Sequence, residues 1–211
     1  MTQIAYEHII QKIDQGKYES GDKIIIEEIA KELGMSRIPV RESIKQLASE
    51  GILTIDSHKS PRLRKVSLKD IEQIYEIRKI LEPRSVVKAL DNLSPADLQH
   101  LEKLVAEMGV CIRERKINNY LNKNREFHFY LYKKSKNPWL LKYIESLWYF
   151  TRWVDAATYF KDEIIDVTSH EKILKAIKNK NRESLEKLVA EHIDHGYRIT
   201  RLYLLKLKAL R

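Results

Sequence analysis

The sequence predicts a mainly α protein in two parts. A helix–turn–helix with a β-hairpin wing is expected over residues 1–66, and an all-helical antiparallel bundle over 67–211. Three observations carry this. Glycine and proline are scarce, 6 and 5 among 211 residues, so turns are few and helices long. Apolar residues recur at three- and four-residue spacing through most of the chain. Only "ILTIDSHKSPRLRKV", residues 52–66, alternates like two short strands around a polar turn.

In chain order, Ile4, Ile9, Ile10 and Ile13 give residues 3–14 one apolar helical stripe. "DQGKYESGDKI" breaks it. A second short helix spans 26–33, with Ile29, Ala30 and Leu33 inward. "LGMS" follows as a turn, with Gly34 at a helix C-terminus and Ser36 as the next N-cap. A third helix spans about 37–49, with Pro39 in its first turn, where a missing N–H costs little. Beyond the hairpin the pattern predicts helices near 68–91, 95–116, 118–134, 137–160, 163–179 and 182–207. Ser94, Asn137 and Ser184 lie near helix starts. The change from helix–turn–helix–hairpin to uninterrupted helix near 66–68 marks a domain boundary.

Composition narrows the class. The chain carries 43% hydrophobic and 33% charged residues, the balance of a globular protein. The lone Cys111 rules out an internal disulfide framework and suits a reducing cytoplasm. The N-terminus is amphipathic and carries acids, unlike a signal peptide, and no apolar run approaches a membrane span. The net charge of +9 points to a polyanion such as nucleic acid. Residues 1–66 hold 11 Lys/Arg against 10 Asp/Glu, however, so the excess lies in residues 67–211. Local placement of charge therefore matters more than its total.

Two short helices joined by a Gly-containing turn, the second rich in arginine, suit a reader of duplex DNA. Arg37 and Arg41 share a face, Lys45 extends it, and Ser36 with the free N–H groups of the helix start can hold a phosphate. Lys59, Arg62, Arg64 and Lys65 make a basic wing. The stretch "IIIEEIAKELGMSRIPVRESIKQLASEGILTI" closely resembles the winged helix–turn–helix of the GntR family of bacterial transcription regulators. The resemblance implies that Ser36, Arg37, Ile38 and Arg41 occupy the DNA-reading positions. Three departures stand out. Ile38 replaces a usual Thr. The wing tip "DSHKS" lacks a frequent Gly, so either His58 or Ser57 makes that contact or the wing differs. Glu27 sits where some relatives place a basic phosphate contact.

Residues 67–211 resemble the FCD-type effector domain of one large GntR subfamily, through "DIEQIYEIRKILEPRSV", "NREFHFYLYKKSKNPWL", "SHEKILKAIKNKN" and "AEHI". That resemblance implies a divalent metal held by an acid or amide and three imidazoles, here Asn124, His128, His170 and His192. The residues support it independently. Asn124 and His128 are four apart and interrupt the apolar stripe Leu121, Phe127, Leu131. His170 lies in line with Ile173, Leu174 and Ile177, and His192 with Leu185, Leu188, Val189 and Ile199. If the last two helices pack antiparallel about a turn near Lys180, His170 and His192 lie nearly level. Such a donor set fits Zn²⁺, Ni²⁺ or Mn²⁺. His8, His58, His100 and His195 show no such alignment.

Arg78 also sits on an inward face, between Ile74 and Leu81. It reads either as an anchor for a carboxylate effector or as an i,i+4 partner of Glu82. The aromatic run "LWYFTRWV" reads as core or dimer interface. The resulting expectation is a cytoplasmic homodimer, not an enzyme and not bound to membrane. It would bind a double-stranded operator, with repression as the working expectation, and respond to a small organic acid at the metal-containing site. A pure metal sensor and a metalloenzyme fused to a DNA-binding unit are the alternatives. The second lacks a general base, because Glu126, Glu171 and Glu191 point away from the candidate ligands.

Overall fold

A computed structural model describes residues 1–55, 60–158 and 167–209; at positions 14, 149–158, 203 and 206–209 it describes backbone alone. The chain separates into two compact units, Met1–Ser67 and Leu68–Arg211. The described residues are mainly α, with one two-stranded sheet.

The first unit packs α1 (Thr2–Asp14), α2 (Ile26–Glu32) and α3 (Arg37–Ser49) around Ile9, Ile13, Ile29, Val40, Ile44 and Leu47. Each fully buried aliphatic side chain contributes ~1.5–3 kcal/mol. Ile4, counted in the apolar stripe of α1, is instead 51% exposed, because the core takes up only the Ala5, Ile9 and Ile13 side of the helix. Gly34 adopts φ +61° between α2 and α3, a conformation that lets the Met35 N–H reach back to the Ala30 carbonyl at 3.0 Å. Ser36 occupies the N-cap position of α3, but its side chain makes no capping hydrogen bond.

The wing strands are shorter than their alternation suggests. β1 (Leu53–Thr54) and β2 (Arg62–Leu63) pair antiparallel, with Leu53 opposite Leu63 and Thr54 opposite Arg62. Leu53 and Leu63 point inward and are buried, and the Ile24 N–H donates to the Pro61 carbonyl at 2.8 Å. Residues before α2 thus supply part of the hydrogen bonding that the alternating pattern assigned to longer strands. The wing tip, 56–59, lies outside the described residues.

In the second unit α4 (Leu68–Ala89) packs along α9 (Arg182–Ala209) and also against α6 (Ile117–Lys134) and α7 (Pro138–Thr158). On the other side α5 (Pro95–Arg113) packs on α6, and α8 (Thr168–Lys178) on α9 and α5. Pro83 lies inside α4 without ending it. An interior proline costs ~3 kcal/mol of helix stability, and contacts with three neighbouring helices offset that.

Helix ends show how a chain poor in glycine stops a helix. Arg115, Lys136 and Lys180 take φ of 55°, 51° and 51° just after α5, α6 and α8. The next N–H then bonds back five residues, Lys116 to Cys111 at 2.8 Å and Asn181 to Ala176 at 3.1 Å. That left-handed turn is why α5 ends at Arg113 rather than near residue 116. Ser94 and Asp97 form a capping box at the start of α5. Asn137 caps the Leu140 N–H at 3.1 Å, while Asn181, not Ser184, caps α9 through the Ser184 N–H at 3.0 Å. The helix expected over 163–179 is seen from Thr168; residues 163–166 lie outside the described residues.

Candidate functional site

Two sets of residues can carry function, one in each unit. In the first unit α3 presents Ser36, Arg37, Ile38, Arg41 and Lys45 to solvent, and Ile38 is 73% exposed. Arg37 Nη1 pairs with Glu27 Oε1 of α2 at 3.0 Å, and Lys45 Nζ with Glu42 Oε1 at 2.9 Å. Arg41 makes no ion pair among the described residues. Arg62 donates from Nη1 to the Gly21 carbonyl at 2.7 Å, so one arm of its fork holds the wing. His58 and Lys59 lie outside the described residues.

In the second unit three helices bring together His128 (α6), His170 (α8) and His192 (α9). One ring nitrogen from each lies within 4.8 Å of the others. The His170 and His192 rings stand 4.5 Å apart, centroid to centroid, so the α8–α9 hairpin does set them level. His128 Nε2 lies 3.0 Å from His192 Nε2. Two nitrogens bound to one ion at ~2.1 Å each stand roughly 3.0–3.4 Å apart, so this pair needs little movement to share a metal. His170 Nε2 lies 2.7 Å from Asn124 Oδ1, which accepts its proton. The other ring nitrogen, His170 Nδ1, is buried without a hydrogen-bond partner. An ion shared by the imidazoles and Asn124 would take the place of the hydrogen between His170 Nε2 and Asn124 Oδ1. The donor set therefore fits a divalent ion.

The electrostatics agree. Burial takes the His170 imidazole down to about 4. Burial, the neighbouring imidazoles and the Arg78 guanidinium hold His128 and His192 well below 6.5. All three are neutral near pH 7 and offer lone pairs rather than N–H⁺ groups. Glu126, Glu171 and Glu191 are exposed.

The Arg78–Glu82 pair expected at i,i+4 is present, and it joins a network beside the cluster that spacing did not reveal. Glu82 of α4 is fully buried. Its Oε1 accepts from Arg78 Nε at 2.6 Å and from Trp148 Nε1 at 2.9 Å. Its Oε2 accepts from the Tyr132 hydroxyl at 2.5 Å, and the same phenol oxygen lies 3.4 Å from His128 Nδ1. Burial and the Glu82 charge push the Tyr132 phenol well above 10, so it keeps its proton. Arg78 is the i,i+4 partner of Glu82 and packs between the Tyr75 and Trp148 rings, 4.7 and 4.6 Å from their centroids. Burial opposes its charge, and Glu82 more than restores it. Ser169 Oγ, at 3.0 Å, completes the set on His192 Nδ1. Tyr132 stands four residues after His128 and Glu82 four after Arg78, a spacing at which both pairs were legible as helical neighbours. Of the aromatic run, Trp148 is buried core, and the side chains of 149–154 lie outside the described residues.

A helix–turn–helix unit with an exposed basic helix, followed by a helical unit that holds an imidazole cluster, is the layout of a DNA-binding regulator. The family models agree. "Bacterial regulatory proteins, gntR family" matches residues 1–62, and "FCD domain" matches residues 73–195. The chain belongs to the GntR family of bacterial transcription regulators and carries an FCD domain. It is 30% identical over 190 residues to the HTH-type transcriptional regulator McbR of Escherichia coli, covering 87% of this chain and 85% of that protein. The solved structure of E. coli McbR/YncC superposes with a TM-score of 0.84 at 26% identity, covering 94% and 96% of the two chains. YdhC of Bacillus subtilis, an uncharacterised regulator, is 28% identical over 194 residues, 90% of this chain and 86% of that one. The gluconate operon transcriptional repressor of Bacillus licheniformis is 25% identical over 191 residues, 87% of this chain and 78% of that one. No described helix is long and apolar enough to cross a membrane.

Proposed function

We propose that this regulator is a homodimeric repressor whose operator binding is modulated by a small organic acid at a metal held by His128, His170 and His192, with Asn124 as fourth donor. The observation that carries the reading is the cluster itself: three neutral imidazoles from three helices, two buried and one half-buried, converging on one point. When bound, the ion supplies a positive centre that attracts a carboxylate. This chain's residues then hold and orient that carboxylate. Asn124 is a weaker donor than a carboxylate side chain and leaves the site one negative charge poorer, which favours an anionic effector over a second cation.

Arg78 serves as the effector's second anchor in this reading, sharing its guanidinium with Glu82. Effector binding then shifts the operator equilibrium only by its differential affinity for two arrangements of the dimer. That one relative is a gluconate operon transcriptional repressor supports repression, and an operon concerned with an organic acid.

On the DNA side, Ser36, Arg37, Ile38, Arg41 and Lys45 read the major groove and its flanking phosphates, and His58, Lys59 and Arg62 of the wing contact backbone or minor groove. The test joins both units. Metal content is measured on purified protein, and fluorescence anisotropy then follows operator-fragment binding with and without chelator, across a panel of small carboxylates. Release of DNA by one acid only in the metal-loaded protein is the expected result. Release on metal addition alone would establish the ion as the signal. Unchanged operator affinity in Arg41→Ala would refute the DNA-reading assignment.

A further inference from the structure

Resting on the metal reading of the cluster, we propose that Tyr132 is a positioning residue for His128, oriented in turn by Glu82. The hydrogen bonds favour one arrangement, the one in which every polar contact carries a hydrogen. Glu82 is acceptor-only, with Arg78 and Trp148 donating to Oε1, so the Tyr132 proton goes to Oε2 at 2.5 Å. The phenol oxygen keeps its lone pairs, and the group 3.4 Å away is His128 Nδ1. That nitrogen therefore carries the ring proton, and the bare Nε2 lone pair faces the cluster. A fixed tautomer is what a metal-binding imidazole needs. Free imidazole in water leaves both tautomers accessible, and only one can ligate through Nε2.

The same bookkeeping explains Ser169. With His128 Nε2 bare, the 3.0 Å contact to His192 Nε2 requires His192 to supply the hydrogen in the metal-free protein. His192 Nδ1 then accepts from the Ser169 hydroxyl at 3.0 Å. Ligation by His192 Nε2 moves its proton to Nδ1, and the hydroxyl turns to accept it. A hydroxyl serves both states, whereas a carboxylate or an N–H donor would serve one. His128 is thus locked and His192 convertible, by the choice of Tyr132 on one and Ser169 on the other.

The variant Tyr132→Phe keeps the ring and removes the oxygen. Zn²⁺ and Ni²⁺ affinities are measured by chelator competition on the full chain, with circular dichroism as the check on folding. A loss of about 10–100-fold is expected. Imidazole ¹⁵N shifts of the metal-free protein supply a readout that packing does not move: Nδ1-protonated His128 in wild type, shifting toward Nε2-protonated in Tyr132→Phe. Glu82→Gln is a second route to the same loss, because its amide can donate to the phenol oxygen and turn the phenol proton toward His128. Thr200→Val, which breaks the buried 3.0 Å Tyr75–Thr200 hydrogen bond in the same unit, should lower the melting temperature and leave metal affinity unchanged. Wild-type affinity and an unshifted tautomer in Tyr132→Phe would overturn the inference while leaving the metal reading intact. Failure of the wild type to bind either ion would overturn both.

Discussion

Acidification of the metal-free protein should destabilise it, and the cause should lie in the histidine cluster. His170 falls from 6.5 in an exposed chain to about 4 in the folded one. Between those values the unfolded state binds a proton that the native state refuses, so stability rises with pH and is lost on acidification. Roughly 1.5 pH units separate 6.5 from pH 5, and each is worth ~1.4 kcal/mol. His170 alone should thus cost about 2 kcal/mol between pH 7 and pH 5. His128 and His192 are shifted in the same direction and add to the loss. Against a typical total of ~5–15 kcal/mol, this is a large fraction. The assay is thermal unfolding after chelator treatment, from pH 7 to pH 5, for wild type and His170→Gln. The variant is expected to retain the loss from the other two imidazoles and to lack the His170 share. A melting temperature that stays flat or rises over this range in the wild type would refute the reasoning, as would an identical pH profile in His170→Gln.

Other perturbations test separate features. Glu27→Gln frees Arg37 from its 3.0 Å partner. One additional phosphate contact should steepen the log–log salt dependence of duplex binding by about 0.9, measured by anisotropy at several salt concentrations on non-operator DNA. Lys180→Gly relieves a left-handed backbone at φ 51° between α8 and α9. It should raise stability by ~0.5–1 kcal/mol after the entropy cost of glycine, read from urea unfolding. Ser94→Ala removes half of the capping box on α5 and should cost ~1 kcal/mol in the same assay.

Much of the site was readable in one dimension because helical spacing is regular. Asn124 and His128 share a face by arithmetic, and the α8–α9 turn at Lys180 fixes how far His170 and His192 lie from it. The helix–turn–helix was equally plain, since Gly34, Ser36 and Pro39 are local signals whose reasons act within a few residues. Boundaries were less so. The end of α5 depends on Arg115 adopting a left-handed conformation usually given to glycine, and nothing in its side chain announces that.

The sequence by itself determined the class of fold, the positions of the helices and the identity of four residues able to converge. Periodicity and capping are properties of neighbours along the chain. Tertiary structure decided what surrounds those residues. Sequence spacing left Arg78 two readings; only packing of α4 against α6 and α7 brings Glu82 to Tyr132, Trp148 and, through the phenol, His128. It also decided that Asn124 faces His170 as a hydrogen-bond acceptor at 2.7 Å. Such contacts join residues dozens of positions apart. Their geometry follows from how helices seat against one another, which the order of residues constrains but does not display.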